Sequence, residues 1–111
     1  PWVLPSFNAT YLALVLDAAR TYGTATQLFL ACGPMTSEHC DAVQWVVSQA
    51  RASVRGLKIW YMDHAHFLNG TYGPTCFYHP SAQVHAAMAA AGAAQIGKAM
   101  GWDTSEPGAR Q

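Results

Sequence analysis

Gln27-Leu28-Phe29-Leu30-Ala31, followed at once by Cys32 and the breaker pair Gly33-Pro34, is the stretch that decides the fold class. A run so short, apolar after Gln27 and cut off by Gly-Pro, suits a buried strand better than a helix. Leu57-Lys58-Ile59-Trp60-Tyr61-Met62, just after Gly56, has the same character and gives a second strand. Between the two, Val43, Val46, Val47, Ala50 and Val54 recur at helical spacing. They predict a helix that starts near Thr36 or Ser37 and is closed by Gly56.

The flanks read the same way. Phe7, Tyr11, Leu14, Ala18 and Tyr22 predict a first helix, capped by Ser6 and ended by Gly23. A last helix should begin at Pro80 and Ser81 and run to about Met100, with Val84, Met88, Ala91, Gln95 and Ala99 on one face and Gly101 at its end. Proline suits a first turn, where its missing N–H would be unpaired in any case. Helix, strand, helix, strand, helix implies an α/β fold with parallel strands and flanking helices. Two strands do not complete such a sheet, so further strands are expected upstream of Pro1. Residues 1–103 are expected to be the C-terminal part of one domain, and residues 104–111 a disordered tail.

Composition excludes some roles. Of 111 residues, 51% are hydrophobic and 11% charged, which suits a folded core. Six Lys and Arg balance six Asp and Glu, and the cations are scattered, so neither nucleic acid nor an anionic membrane is an expected partner. No apolar run approaches the roughly 18 residues a membrane span needs. Asn8-Ala9-Thr10 and Asn69-Gly70-Thr71 both fit the N-glycosylation pattern and point toward secretion. Among the three cysteines, Cys32 and Cys40 are expected to pair across a tight loop if the compartment is oxidising. Cys76 is then free or bonded outside this chain. The plainer alternative is three buried thiols.

From Asp63 to His79 the chain is rich in Gly, Pro, Asn and Thr, and it is longer than most connections. His79 ends this loop. Standing before Pro80, it should be extended rather than helical. At the head of the last helix, the positive end of the dipole would disfavour imidazolium and suit a general base. The plainer reading is a surface or packing histidine. Asp63 reads first as a loop-start residue bonding nearby backbone. His64 and His66, with His39 and Cys40, invite a metal reading, but no spacing matches a structural zinc site and no metal or other cofactor is expected. Trp60, Tyr61, Phe67, Tyr72, Phe77 and Tyr78 could line a cleft, and Phe77 and Tyr78, beside His79, are the better substrate contacts.

Cys32-Gly33-Pro34-Met35 after the first strand, then the long loop, His79-Pro80-Ser81, His85 and Met88-Ala89, together resemble the C-terminal half of SGNH (GDSL-like) hydrolases. The resemblance runs from about Phe7 to Trp102 and is nearest to carbohydrate esterase family 2, the acetylxylan-esterase-like deacetylases. It implies a three-layer α/β/α, flavodoxin-like fold and an extracellular ester hydrolase acting on an acylated carbohydrate or another small ester. It also implies that His79 is the catalytic base, serving a serine from an earlier block that this chain does not contain. Ser6, Ser37, Ser48 and Ser81 do not match that block, and Ser6, Ser37 and Ser81 suit helix caps. Typical members carry an aspartate three residues before the histidine. Here Cys76 stands there, so the resemblance implies a Ser–His dyad oriented by a backbone carbonyl, with Asp63 as a possible substitute. A non-catalytic SGNH-like module that binds carbohydrate or serves a structural role is the alternative.

Overall fold

In the computed structural model, which describes residues 3–102 and side chains from Ser6 onward, β1 (Gln27–Cys32) and β2 (Lys58–Asp63) pair in parallel from Gln27 opposite Lys58 to Cys32 opposite Asp63. The expected tail at 104–111 lies outside the described residues. The chain divides into two compact units, Pro1–Ala65 and His66–Gln111.

The first unit holds α1 (Val3–Tyr22), β1, α2 (Cys40–Ser53) and β2. It is a mixed α/β unit with a two-stranded parallel sheet and flanking helices. Parallel neighbours need a crossover, and α2 supplies it. α2 packs on both strands and on α1. The expected stripe of α2 is the observed one: Val43, Val46, Val47 and Ala50 are buried, joined by Cys40 and Ala42. All of these but Ala42 meet Leu30, Leu57 and Ile59 from the strand regions and Val15 and Ala19 from α1 in one core cluster. Val46 and Ile59 are fully enclosed, and burying side chains of that size is worth about 1.5–3 kcal/mol each. The Arg51 guanidinium also donates to the Ile59 carbonyl, fastening α2 to β2. At the solvent side, Trp60 Nε1–H donates to Gln27 Oε1 at 2.7 Å across the two strands.

α1 differs from its expected form. It begins at Val3, so Ser6 lies inside the helix and is not its cap. Pro5 falls in the first turn, where a missing N–H costs nothing. The buried stripe runs through Tyr11 and Leu12, Val15 and Leu16, and Ala19, while Leu14 is 64% exposed and Tyr22 also faces solvent. Leu12, Leu14, Val15 and Leu16 put apolar residues nearly all round this helix, so periodicity alone could not choose the face; the packing against α2 does.

α2 starts later than expected, at Cys40, with His39 at its cap position and no side-chain cap. Thr36 Oγ1 instead accepts from the Glu38 N–H (3.1 Å), and the Ser37 carbonyl accepts from the Cys40 N–H (3.1 Å). Thr36 and Ser37 thus build a turn ahead of the helix. Cys32 and Cys40 form a disulfide across this turn, with Cα atoms 5.3 Å apart.

The second unit contains most of the 3-10 turn Ala65–Leu68, a short antiparallel hairpin of β3 (Thr75–Cys76) and β4 (His79–Pro80), and α3 (Ala82–Met100). Phe67 is buried, its ring 4.2 Å from that of His66 and 4.7 Å from that of Tyr72. Ser81 caps α3, its Oγ accepting from the Val84 N–H at 3.3 Å. Pro80 therefore belongs to the hairpin and not to the first turn. Gly101, in the left-handed conformation, closes α3, and the Trp102 N–H donates back to the Gly97 carbonyl at 2.8 Å. Val84 is fully buried, as expected, but Ala91 is exposed and Gly92 and Gly97 lie in the buried stripe.

Candidate functional site

His79 pairs with Cys76 at the closed end of the β3–β4 hairpin, so Phe77 and Tyr78 form the whole two-residue turn. A two-residue hairpin loop of this kind needs positive φ at both positions, which is why Asn-Gly is its usual sequence. Here Phe77 has φ 49° and Tyr78 φ 62°. Holding L-residues with a Cβ in that region costs about 1–2 kcal/mol each. The strain does not serve burial, because Phe77 is 89% and Tyr78 82% exposed. Two large rings are thus held out in solvent on a turn that other residues would make more cheaply, and stored strain of this type clusters at functional sites.

His79 is extended, as its place before proline demands, and its side chain is exposed. Its ring has no hydrogen-bond or ion-pair partner among the described residues. Ser81, not His79, meets the first N–H groups of α3. Cys76, opposite His79, is an exposed free thiol. His79, Cys76, Phe77 and Tyr78 therefore share one exposed hairpin end. His85 lies on α3, exposed, with its backbone N–H on the Ser81 carbonyl.

The other candidates are each engaged by their own neighbours. Asp63 Oδ1 accepts from the Ala65 N–H at 3.0 Å, the loop-start role. The His64 backbone N–H donates to the Cys32 carbonyl at 2.8 Å, while the His66 ring lies against Phe67 and Tyr72. Among the described residues no three His, Cys, Asp or Glu side chains gather as metal ligands would. Tyr61 packs against the core of the first unit. Of the two sequons, Asn69 lies exposed in an Asx turn, its Oδ1 accepting from the Thr71 N–H at 2.9 Å. Asn8 sits inside α1 with its Oδ1 sealed from solvent and unpartnered among the described residues, a poor position for a glycan. Among the described residues, no helix is long and apolar enough to cross a membrane.

No single motif signals the cavity in the first unit. At the carboxyl end of β1, where α/β units place their sites, a cavity of about 310 Å³ opens between residues 31–36, α1 and the start of α2. Phe7, Tyr11 and His39 contribute rings to its wall, and the His39 ring stacks on Phe7 at 5.3 Å. The strand-then-Gly33-Pro34 junction points to this edge, but not to the residues that meet there.

Burial pushes the Tyr11 hydroxyl above the ordinary tyrosine value of 10.0. An acid whose pKa rises on folding gives stability that is complete below its unfolded value and is lost as pH climbs through the folded one. Stability should therefore fall above about pH 10, and Tyr11→Phe should remove part of that fall. Melting temperatures followed across this alkaline range check it; parallel curves for both proteins would count against it.

Against protein-family models, curated proteins and solved structures, the chain has no match.

Proposed function

We propose that this chain carries the histidine of a secreted SGNH-type ester hydrolase, a carbohydrate O-deacetylase in which His79 is the general base. The observation that carries the reading is the exposed His79 ring, free of protein partners among the described residues, beside two aromatic rings held out on a strained turn. The resemblance centred on His79-Pro80-Ser81 supports it, and the disulfide suits an oxidising compartment. On this reading the first unit is part of a three-layer α/β/α sheet, with further parallel strands added beside β1.

The chemistry is acyl transfer. A serine hydroxyl, supplied by a segment N-terminal to Pro1, attacks the ester carbonyl while His79 accepts its proton. His79 returns that proton to the departing sugar alkoxide, leaving an acyl-serine. Water then attacks the acyl group, again giving its proton to His79, which passes it to the serine oxygen as the acid leaves. With Cys76 at the position that a carboxylate fills in typical members, and no acceptor on the ring among the described residues, the group that orients His79 comes from outside them. Phe77 and Tyr78 contact the sugar, their rings lying against its C–H face. The chain alone should not turn over 4-nitrophenyl acetate, and joining it to its N-terminal segment should restore turnover. Equal activity in both would end the proposal.

A second reading, a non-catalytic carbohydrate-binding module, draws on the same strained turn, which would serve binding whether or not a serine is present. Replacing the turn by its cheaper sequence, Phe77→Asn with Tyr78→Gly, separates strain from use. The double variant should be more stable by about 1–3 kcal/mol, read by urea unfolding. It should also lose most of its affinity for acetylated xylo-oligosaccharide. A variant that is stabilised and binds as before would leave the two rings without a role.

A further inference from the structure

We infer that the cavity at the carboxyl end of β1 is a binding site for a neutral, single-ring aromatic carbonyl compound, such as an aryl ketone, aldehyde or ester. It lies wholly within the first unit and does not depend on the His79 reading. Its volume of about 310 Å³ stands at the lower end of the range for small-molecule sites, enough for one ring and a short substituent. The wall is mostly apolar: Phe7, Tyr11, Pro34, Met35 and Val43. Phe7 already stacks with His39 at an interplanar angle of 29°, and its ring meets Tyr11 edge-on at 67°. Flat partners are what such a wall accepts best.

His39 sets the polar requirement. Its Nδ1 is sealed from solvent and has no hydrogen-bond partner, whereas Nε2 is neither sealed nor bonded among the described residues. An N–H sealed away without an acceptor is rarer than an unpaired acceptor lone pair, so the ring's proton belongs on Nε2. His39 then offers the cavity one donor, and the complementary ligand atom is an oxygen acceptor. No Lys or Arg among the described residues lines the cavity, so a carboxylate placed there would lose its water without gaining a counter-charge, and a neutral carbonyl is favoured.

Acetophenone tests this directly, with toluene as the ring without a carbonyl and benzoate as the anionic analogue. Each is titrated into the whole chain while the Met35 methyl and His39 ring signals are followed by NMR. Acetophenone should saturate these shifts and bind about fivefold tighter than toluene, the worth of one added hydrogen bond, with benzoate weaker than acetophenone. His39→Phe should equalise acetophenone and toluene. Ala31→Phe, at an exposed position on the wall, should fill the space and remove both. Equal binding of acetophenone and toluene to the unaltered chain would overturn the inference without any variant. So would full shifts persisting in a folded Ala31→Phe protein.

Discussion

Gly33→Ala is expected to destabilise the first unit by roughly 3 kcal/mol, the sum of backbone strain and overpacking. Gly33 has φ +93°, a region that residues with a Cβ rarely occupy. A methyl there would stand 2.5 Å from the Ala65 nitrogen, 2.7 Å from the Ala65 Cα and 2.7 Å from the His64 carbonyl carbon. All three are backbone atoms, so no side chain can swing aside. Relief requires moving residues 64–65, and that strains the bond from the His64 N–H to the Cys32 carbonyl which continues the pairing of β1 with β2. Gly23 and Gly56 are the controls, since both have positive φ but nothing within 4 Å of where the added methyl would sit. Alanine at either should cost only the backbone term, about 1–2 kcal/mol. Urea unfolding of the three variants makes the comparison, and equal losses would show that the close approach at Gly33 carries no weight.

If His79 is the general base proposed above, His79→Ala in a longer chain that carries the nucleophilic serine is expected to lower kcat for 4-nitrophenyl acetate by about 10³-fold, the scale of a positioned general base. Stability should change little, because the ring is exposed and unpartnered among the described residues. Cys76→Ala should cost less than about tenfold in rate, since a thiol at that position does no carboxylate's work. Equal losses in the two variants would contradict a dyad in which only His79 moves the proton. A loss confined to KM would make His79 a binding residue and favour the non-catalytic reading.

The strands were legible because Gln27–Ala31 and Leu57–Met62 are short, apolar and bounded by glycine, and no helix could fit there. The buried face of α2 was legible because Val43, Val46, Val47 and Ala50 form a single apolar stripe. α1 was not, since Leu14 and Val15 are equally apolar and only contact with α2 separates the exposed from the buried. The hairpin at Thr75–Pro80 was hidden because Phe77-Tyr78 is the opposite of a turn signal. Pro80 dictates the extended backbone of His79, and chain adjacency alone puts Phe77 and Tyr78 beside it. The cavity at His39 was out of reach, because it is assembled from residues near positions 7 and 11 and from 31 to 43, which periodicity cannot bring together.

The Cys32–Cys40 bond has a practical side. It closes a ring eight residues apart, and a clamp on so short a segment is worth about 2.5 kcal/mol in lost chain entropy. Thr36 and His39 are held inside that ring, so a thiol reductant in the buffer would slacken the rim of the hollow that they border. Material made in a reducing host cell would have the right sequence but a looser mouth, and weak ligands would be missed for a reason unrelated to their fit.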